Sequence, residues 1–255
     1  MARAAAALAQ VLSLRRRAPM PIRMDANQLV LVQGARRTRA TLVRWQVAPW
    51  PVLRPWLIGA AAVAAGLLCA VVIIGSLATP DATPILLPGL TAPTNLAAVG
   101  HVLYRNSLVL ALHGFACVAG FIAGSSMPLE AERYKGFVKT VHDKAGPLAI
   151  GFVVCATSFS LATQAYVLGS AASTLANQGH MNVGLLVVGL LPHAVPELIA
   201  LFLPLAAWIV ASRRGNWDEL LAATFVTVSI AAPLLVAAAF VEVYVSPHVI
   251  LWLRG

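Results

Sequence analysis

Within LLPHAVPELIA, residues 190–200, His193 and Glu197 stand four residues apart. On a continuous helix that spacing puts an imidazole and a carboxyl on one face, where they can hydrogen-bond. Asn106 and His113 in YRNSLVLALHGF, and Glu242 in AAAFVEVYVSP, are the other polar groups set in apolar runs. The chemistry open to this set is narrow. His193 and Glu197 offer two metal ligands where a site takes three or four, with His113 the one nearby third candidate, so no metal centre is expected. The chain has no H-E-x-x-H, no G-x-S-x-G and no phosphate-cradling glycine loop, so neither an enzyme nor a bound cofactor is predicted.

The elements that must position these groups are membrane spans. The 255 residues are 60% hydrophobic and 11% charged, with a mean hydropathy of +0.83. Apolar runs of about 20 residues recur, the length that crosses roughly 30 Å of hydrocarbon. A soluble fold would have to bury all of them with almost no amphipathic shell. Five spans are predicted, at 55–79, 102–125, 146–170, 181–211 and 219–245, as helices that satisfy their own backbone in lipid. The expected fold class is an all-α, polytopic membrane helix bundle. Five spans place sixteen of the eighteen basic residues on one side, leaving Arg105 and Arg254 on the other, so the amino terminus is expected in the cytoplasm and the carboxyl terminus outside.

Pro192 and Pro196 predict a helix break. Each removes a backbone donor, and the residue before a proline is biased away from helix. The expected arrangement is a re-entrant or interfacial half-helix over 181–191, then a second helix from Pro196 to Ala211 with Glu197 near its amino end. That geometry sets His193 and Glu197 toward the outer leaflet, level with Asn106 and Glu242. One intramembrane polar cluster of Asn106, His193, Glu197 and Glu242 is expected, with His193 bridging the carboxyls, Asn106 donating to one, and His113 a possible additional member lying deeper. Two carboxyls there do not both ionise easily, so either one keeps its proton or the imidazole is charged between them. The competing reading has separate groups capping helices and snorkelling to the interface.

Residues 1–54 form a basic cytoplasmic amino-terminal region ahead of the bundle of 55–255, with ten Arg against Asp25 alone. LRRRAPMPIRM punctuates it, and ANQLVLVQGARRTRATLVRWQV predicts an amphipathic helix suited to anionic lipid rather than nucleic acid. The outer loop 80–101 carries four prolines and one charge, and is expected to lie over the bundle mouth or along the membrane interface. Cys69, Cys117 and Cys155 fall in different spans and read as packing residues. Fifteen of the basic residues are Arg, the usage of a GC-rich bacterial coding sequence.

LLPHAVPELIALFL, followed some forty residues later by AAPLLVAAAFVEVYVSP, resembles the stage II sporulation protein M family, with its Leu-Pro-His-Gly-x-x-Glu core and a closing Ala-rich helix bearing Glu before Ser/Thr-Pro. YRNSLVLALHGFACVAGFIAG is similar to that family's Asn-bearing, Gly-spaced helix, so the likeness covers about residues 100–250. The resemblance implies that Asn106, His193, Glu197 and Glu242 hold the family's characteristic polar positions, although Ala194 stands where the family has Gly. It also implies a membrane scaffold for peptidoglycan-degrading partners, in a family that extends to bacteria that make no spores. The expected function is therefore a non-catalytic, multi-pass protein of the bacterial inner membrane that organises an envelope complex. Its expected partners are membrane or envelope proteins, among them peptidoglycan-remodelling enzymes or an ATPase, and anionic lipid at the basic region; self-association is left open. The alternative is a permease-like subunit using the intramembrane carboxylates.

Overall fold

A computed structural model describes residues 30–126 and 135–255. The described chain is helical, with one isolated bridge between Pro88 and Ala92. In order, the helices are α1 (Val30–Val47), α2 (Trp50–Leu77), α3 (Leu96–Phe121, extended by a π turn Ile122–Ser126), α4 (Gly136–Asp143), α5 (Ala145–Gln178), α6 (Val183–Arg214), α7 (Leu220–Phe240) and α8 (Ser246–Arg254). A π turn, Val241–Val245, joins α7 to α8, so the fifth span runs on from Trp217 to Arg254 rather than ending near 245. Five helices are thus long and apolar enough to cross a membrane. LRRRAPMPIRM and the first residues of the expected amphipathic helix lie outside the described residues.

Helix ends follow local chemistry. Asn95 caps α3 by accepting from Ala98 N at 2.8 Å, and Asn182 caps α6 by accepting from Leu185 N at 2.7 Å. α6 closes on Gly215 in the left-handed region, with Arg213 and Arg214 in its last turn against the negative end of the helix dipole.

Arg37–Gly255 form one compact unit; of the other, Met1–Arg36, only the opening of α1 from Val30 is described. Within the larger unit the end of α1 is fastened to the bundle, so the compact unit begins well before residue 55. Trp45 meets Trp56 edge-on at 5.3 Å, and Arg44 pairs with Glu219 at 2.6 Å, the one ion pair among the described residues.

α6 is the central post, flanked by α2, α3, α7 and α8. Trp56, Ala60, Ala64, Leu67 and Val71 recur every three or four residues along α2 and bury one face in the core that includes Leu198, Phe202 and Leu205 of α6. Lipid tails are as apolar as leucine, so contact between spans depends on close packing at small residues. A Cβ on Gly75 would stand 2.9 Å from Gly169 O and from a Val183 methyl, which brings α2, α5 and the start of α6 together at one end. At the other end Gly124 lies under the Trp217 indole, and Gly120 under that of Trp208.

α5 departs from this pattern. Of its most apolar stretch only 11% is buried in the bundle, against 61% for α6.

The expected break at Pro192 and Pro196 is not present. α6 is one continuous helix from Val183 to Arg214, through Pro192, Pro196 and Pro204. Each proline removes one hydrogen bond, and in a membrane bundle a neighbouring helix can serve the carbonyls so exposed. Two carbonyls beside Pro204 bond across to α3: His113 Nδ1 donates to Leu201 O at 2.9 Å, and the Cys117 thiol donates to Pro204 O at 3.2 Å, one turn apart on α3, whereas the carbonyl that Pro204 itself frees is that of Ala200. The half-helix geometry for 181–191 is therefore corrected. Val183–Leu191 belong to the spanning helix.

The loop between α2 and α3 folds back on the bundle. Leu87 and Leu90 pack against the main core, Ser173 Oγ donates to Ala78 O, and Asp81 N donates to Thr174 Oγ1. Gly89, at φ +80, lies so close to Pro247 that a Cβ would come within 2.5 Å of the proline ring. Thr83 N donates to Asp81 Oδ1 at 2.8 Å, which holds that exposed carboxyl below its usual range.

Candidate functional site: a polar layer inside the bundle

Continuity of α6 sets the depth of the layer. Glu197 is fourteen residues from Val183 and seventeen from Arg214, so at about 1.5 Å per residue it lies roughly 21 Å from one end of the helix and 26 Å from the other. It stands near the middle of α6, deeper than a broken helix would set it. Asn106 is about 15 Å along α3 from Leu96 on the same rise. Glu242 sits in the π turn, where the backbone departs from regular α-helix.

Glu197 is half-buried on α6, with Glu242 near enough for its charge to act on it. Asn106 lies beside the Glu197 carboxyl, and Arg105, the next residue on α3, acts electrostatically on both acids. Arg105 is itself exposed and closes no ion pair with either among the described residues. Contact between Asn106 and Glu197 is incomplete: Asn106 Nδ2 and Glu197 Oε2 are both buried without a hydrogen-bond partner.

His193 has a different partner from the one expected. Its Nδ1 lies 2.6 Å from Ser246 Oγ, both side chains buried, and no hydrogen bond from His193 to either carboxyl is present among the described residues. The bridging role is thus corrected, because continuous helix turns the imidazole toward the start of α8. His113 also leaves the set: its Nδ1 is committed to Leu201 O, which fixes the proton on that nitrogen, and its ring meets Phe202 edge-on at 5.7 Å. Sequence reasoning missed Ser246 and Arg105. Ser246 opens α8 directly before Pro247, a helix-start signature, but its partner is 53 residues away in sequence. Arg105 entered only as a charge in the count of basic loops.

Among the described residues no three of His, Cys, Asp and Glu stand close enough to hold a metal ion. A cavity of about 530 Å³, lined by Asn177, His180, Asn182 and Arg254 among others, opens where α5 turns into α6. A second, of about 220 Å³, lies between Trp45, Trp56 and Arg214 near the α6–α7 turn. Neither is lined by Glu197 or Glu242.

Five apolar spans around a carboxyl-bearing layer define an all-α, multi-pass membrane protein. Residues 145–247 match the family model described as stage II sporulation protein M, which bears out the resemblance over those residues. The matched segment contains His193, Glu197, Glu242 and Ser246; Asn106 and His113, on α3, precede it. No curated protein and no solved structure matches the chain.

Proposed function

We propose that this chain is a non-catalytic organiser of other proteins in the bacterial inner membrane, with its basic amino-terminal region in the cytoplasm against anionic lipid and its carboxyl terminus outside. The observation that carries this reading is α5. Its free face includes Gly151, Cys155, Ser158 and Ala162, at the spacing of one helical stripe and all exposed, flanked by Phe152 and Phe159 at 74% and 75% exposure. Small and hydroxylated residues at such spacing are what transmembrane helices use to approach one another. The occupant is a transmembrane helix of an envelope protein, with a peptidoglycan-remodelling enzyme or the membrane subunit of an ATPase complex as the leading classes.

A photo-cross-linking residue at Ser158 or Ala162, in cells, is expected to give protein adducts. The same residue at Leu108, exposed on α3, is expected to give none. Equal labelling at all three positions, or none at Ser158 and Ala162, would sink the docking role of α5.

A permease-like role is the second reading, favoured by the position of Glu197 near the middle of a spanning helix, the depth at which coupled carriers hold their ions. Its support would be solute or proton flux in reconstituted vesicles that Glu197→Gln abolishes.

A further inference from the structure

Three helix ends meet at the cavity beside the α5–α6 turn. α8 runs antiparallel along the first part of α6, and the contacts advance in register. His193 Nδ1 meets Ser246 Oγ, a Cβ on Gly189 would stand 2.6 Å from Ile250 Cγ1, and four residues further along each helix Arg254 and Leu185 line the cavity together. α5 closes its last turn with His180 N donating to Asn177 O at 3.1 Å and Met181 N donating to Ala176 O at 3.0 Å. Asn177, His180 and Met181 thereby join the lining, with Asn182 at the start of α6.

The polar chemistry of that lining is one-sided. Arg254 brings a guanidinium, a planar fork of N–H donors whose charge does not titrate, and it closes no ion pair among the described residues. Asn182 Oδ1 is committed to Leu185 N at 2.7 Å, which leaves the amide N–H groups of that side chain as donors. Asn177 and His180 add further N–H groups, and neither Asp nor Glu lines the cavity. Such a set suits an anion with several acceptor oxygens, a phosphate above all.

Two more observations bear on the ligand. His180, at φ 52, is the one non-glycine residue with a positive φ among the described residues. Glycine is the usual occupant of such a helix end, and a side chain there is strained, so the turn holds an imidazole at the cavity where glycine would fold more easily. Trp252, two residues before Arg254, is 79% exposed. Tryptophan on the surface of a spanning bundle marks the level of the headgroups, which sets the neighbouring donors at the depth of phospholipid phosphates. Met181 and Leu185 give the cavity an apolar side, and its volume of about 530 Å³ falls within the roughly 300 to 1,000 Å³ of small-ligand sites.

We propose that this cavity binds the phosphate of an anionic phospholipid headgroup, with Arg254 as its charged partner and Asn177, His180 and Asn182 as further donors. A lining with a cation and no acid favours phosphatidylglycerol, which carries net negative charge, over phosphatidylcholine, whose ammonium offsets its phosphate. The site goes beyond the organiser reading and does not rest on it, because the stripe from Gly151 to Ala162 lies nearer the start of α5.

The test places the full chain in phosphatidylcholine nanodiscs and follows Tm as phosphatidylglycerol replaces the host lipid, with inorganic phosphate at equal ionic strength as a separate arm. A saturable rise of several degrees is expected with phosphatidylglycerol and none with inorganic phosphate. Arg254→Gln is expected to raise the phosphatidylglycerol fraction at half-maximal stabilisation about tenfold, the loss of one charged hydrogen bond. His180→Gly is expected to leave Tm in pure phosphatidylcholine at or above that of the parent while weakening the lipid response several-fold, a split that a purely structural role for His180 would not produce. The basic amino-terminal region is intact in both variants, so its own affinity for anionic lipid cancels in the comparison. Variants that respond as the parent does would assign the effect to that region and overturn the site. An equal response to inorganic phosphate would make the ligand a soluble anion and overturn the lipid assignment.

Discussion

Gly151 and Gly169 lie on the same helix, α5, and replacing each by Ala makes a matched pair. A Cβ at Gly169 would stand 2.7 Å from Ile74 Cγ2, 2.8 Å from Ile74 Cβ and 3.2 Å from Gly75 N, whereas one at Gly151 would meet nothing within 4 Å. Ala is favoured over Gly within a helix by about 1 kcal/mol, and that gain is common to both sites. At Gly169 it is opposed by overpacking, which costs typically 1 to 3 kcal/mol. Relief is difficult there, because Ile74 is β-branched with a stiff χ1 and the other neighbour is backbone. The pair should therefore differ by roughly 2 kcal/mol, or about 4 to 8 °C in Tm for a chain of this size. Thermal unfolding in nanodiscs, followed by tryptophan fluorescence, reads the difference. Since Gly169 is where α2 holds α5, Gly169→Ala should also weaken the cross-links from Ser158. If Gly169→Ala and Gly151→Ala unfold together, the close approach of α2 and α5 is not what fastens this span.

The His193–Ser246 bond yields to a double-mutant cycle. Ser246→Ala strands a buried imidazole nitrogen at a cost of about 1 to 3 kcal/mol, and adding His193→Leu should recover part of it; strictly additive losses would show that the two side chains are not coupled. Gly89→Ala combines a left-handed backbone with a clash against Pro247, so proteases should cut the loop between α2 and α3 several-fold faster while the spans stay folded. Unchanged cleavage would mean that the loop has another way to settle on the bundle.

The spans were legible because lipid demands long apolar helices, and hydropathy alone finds those. What misled was treating proline as it behaves in water. Pro192 and Pro196 argue against helix when the carbonyls they release must find solvent or stay unpaired. In this bundle all three prolines stay within one helix, and beside Pro204 the side chains of His113 and Cys117 reach across from α3 to the carbonyls of Leu201 and Pro204. That service could not be read from side-chain pairing, because one partner in each bond is backbone. The spacing of four between His193 and Glu197 would put them on one face of a continuous helix, yet the expected break set His193 ahead of the second helix; the helix is continuous, and spacing does not give the rotation that turns His193 toward Ser246. The buried polar positions could be found from sequence; their partners depend on how helices far apart in the chain meet.

The partners of α6 also set an order of synthesis. His113 and Cys117 precede α6, so the helix that will serve the carbonyls around Pro204 is already made when α6 leaves the ribosome. Ser246 follows it by a whole span, and until α8 emerges His193 has no hydroxyl to meet. A nascent chain halted between α7 and α8 thus has the α3 partners of α6 in place and the imidazole of His193 still without its hydroxyl. The helix Ser246–Arg254 brings that hydroxyl, so a pair formed inside α6's buried face waits on a residue made a whole span later.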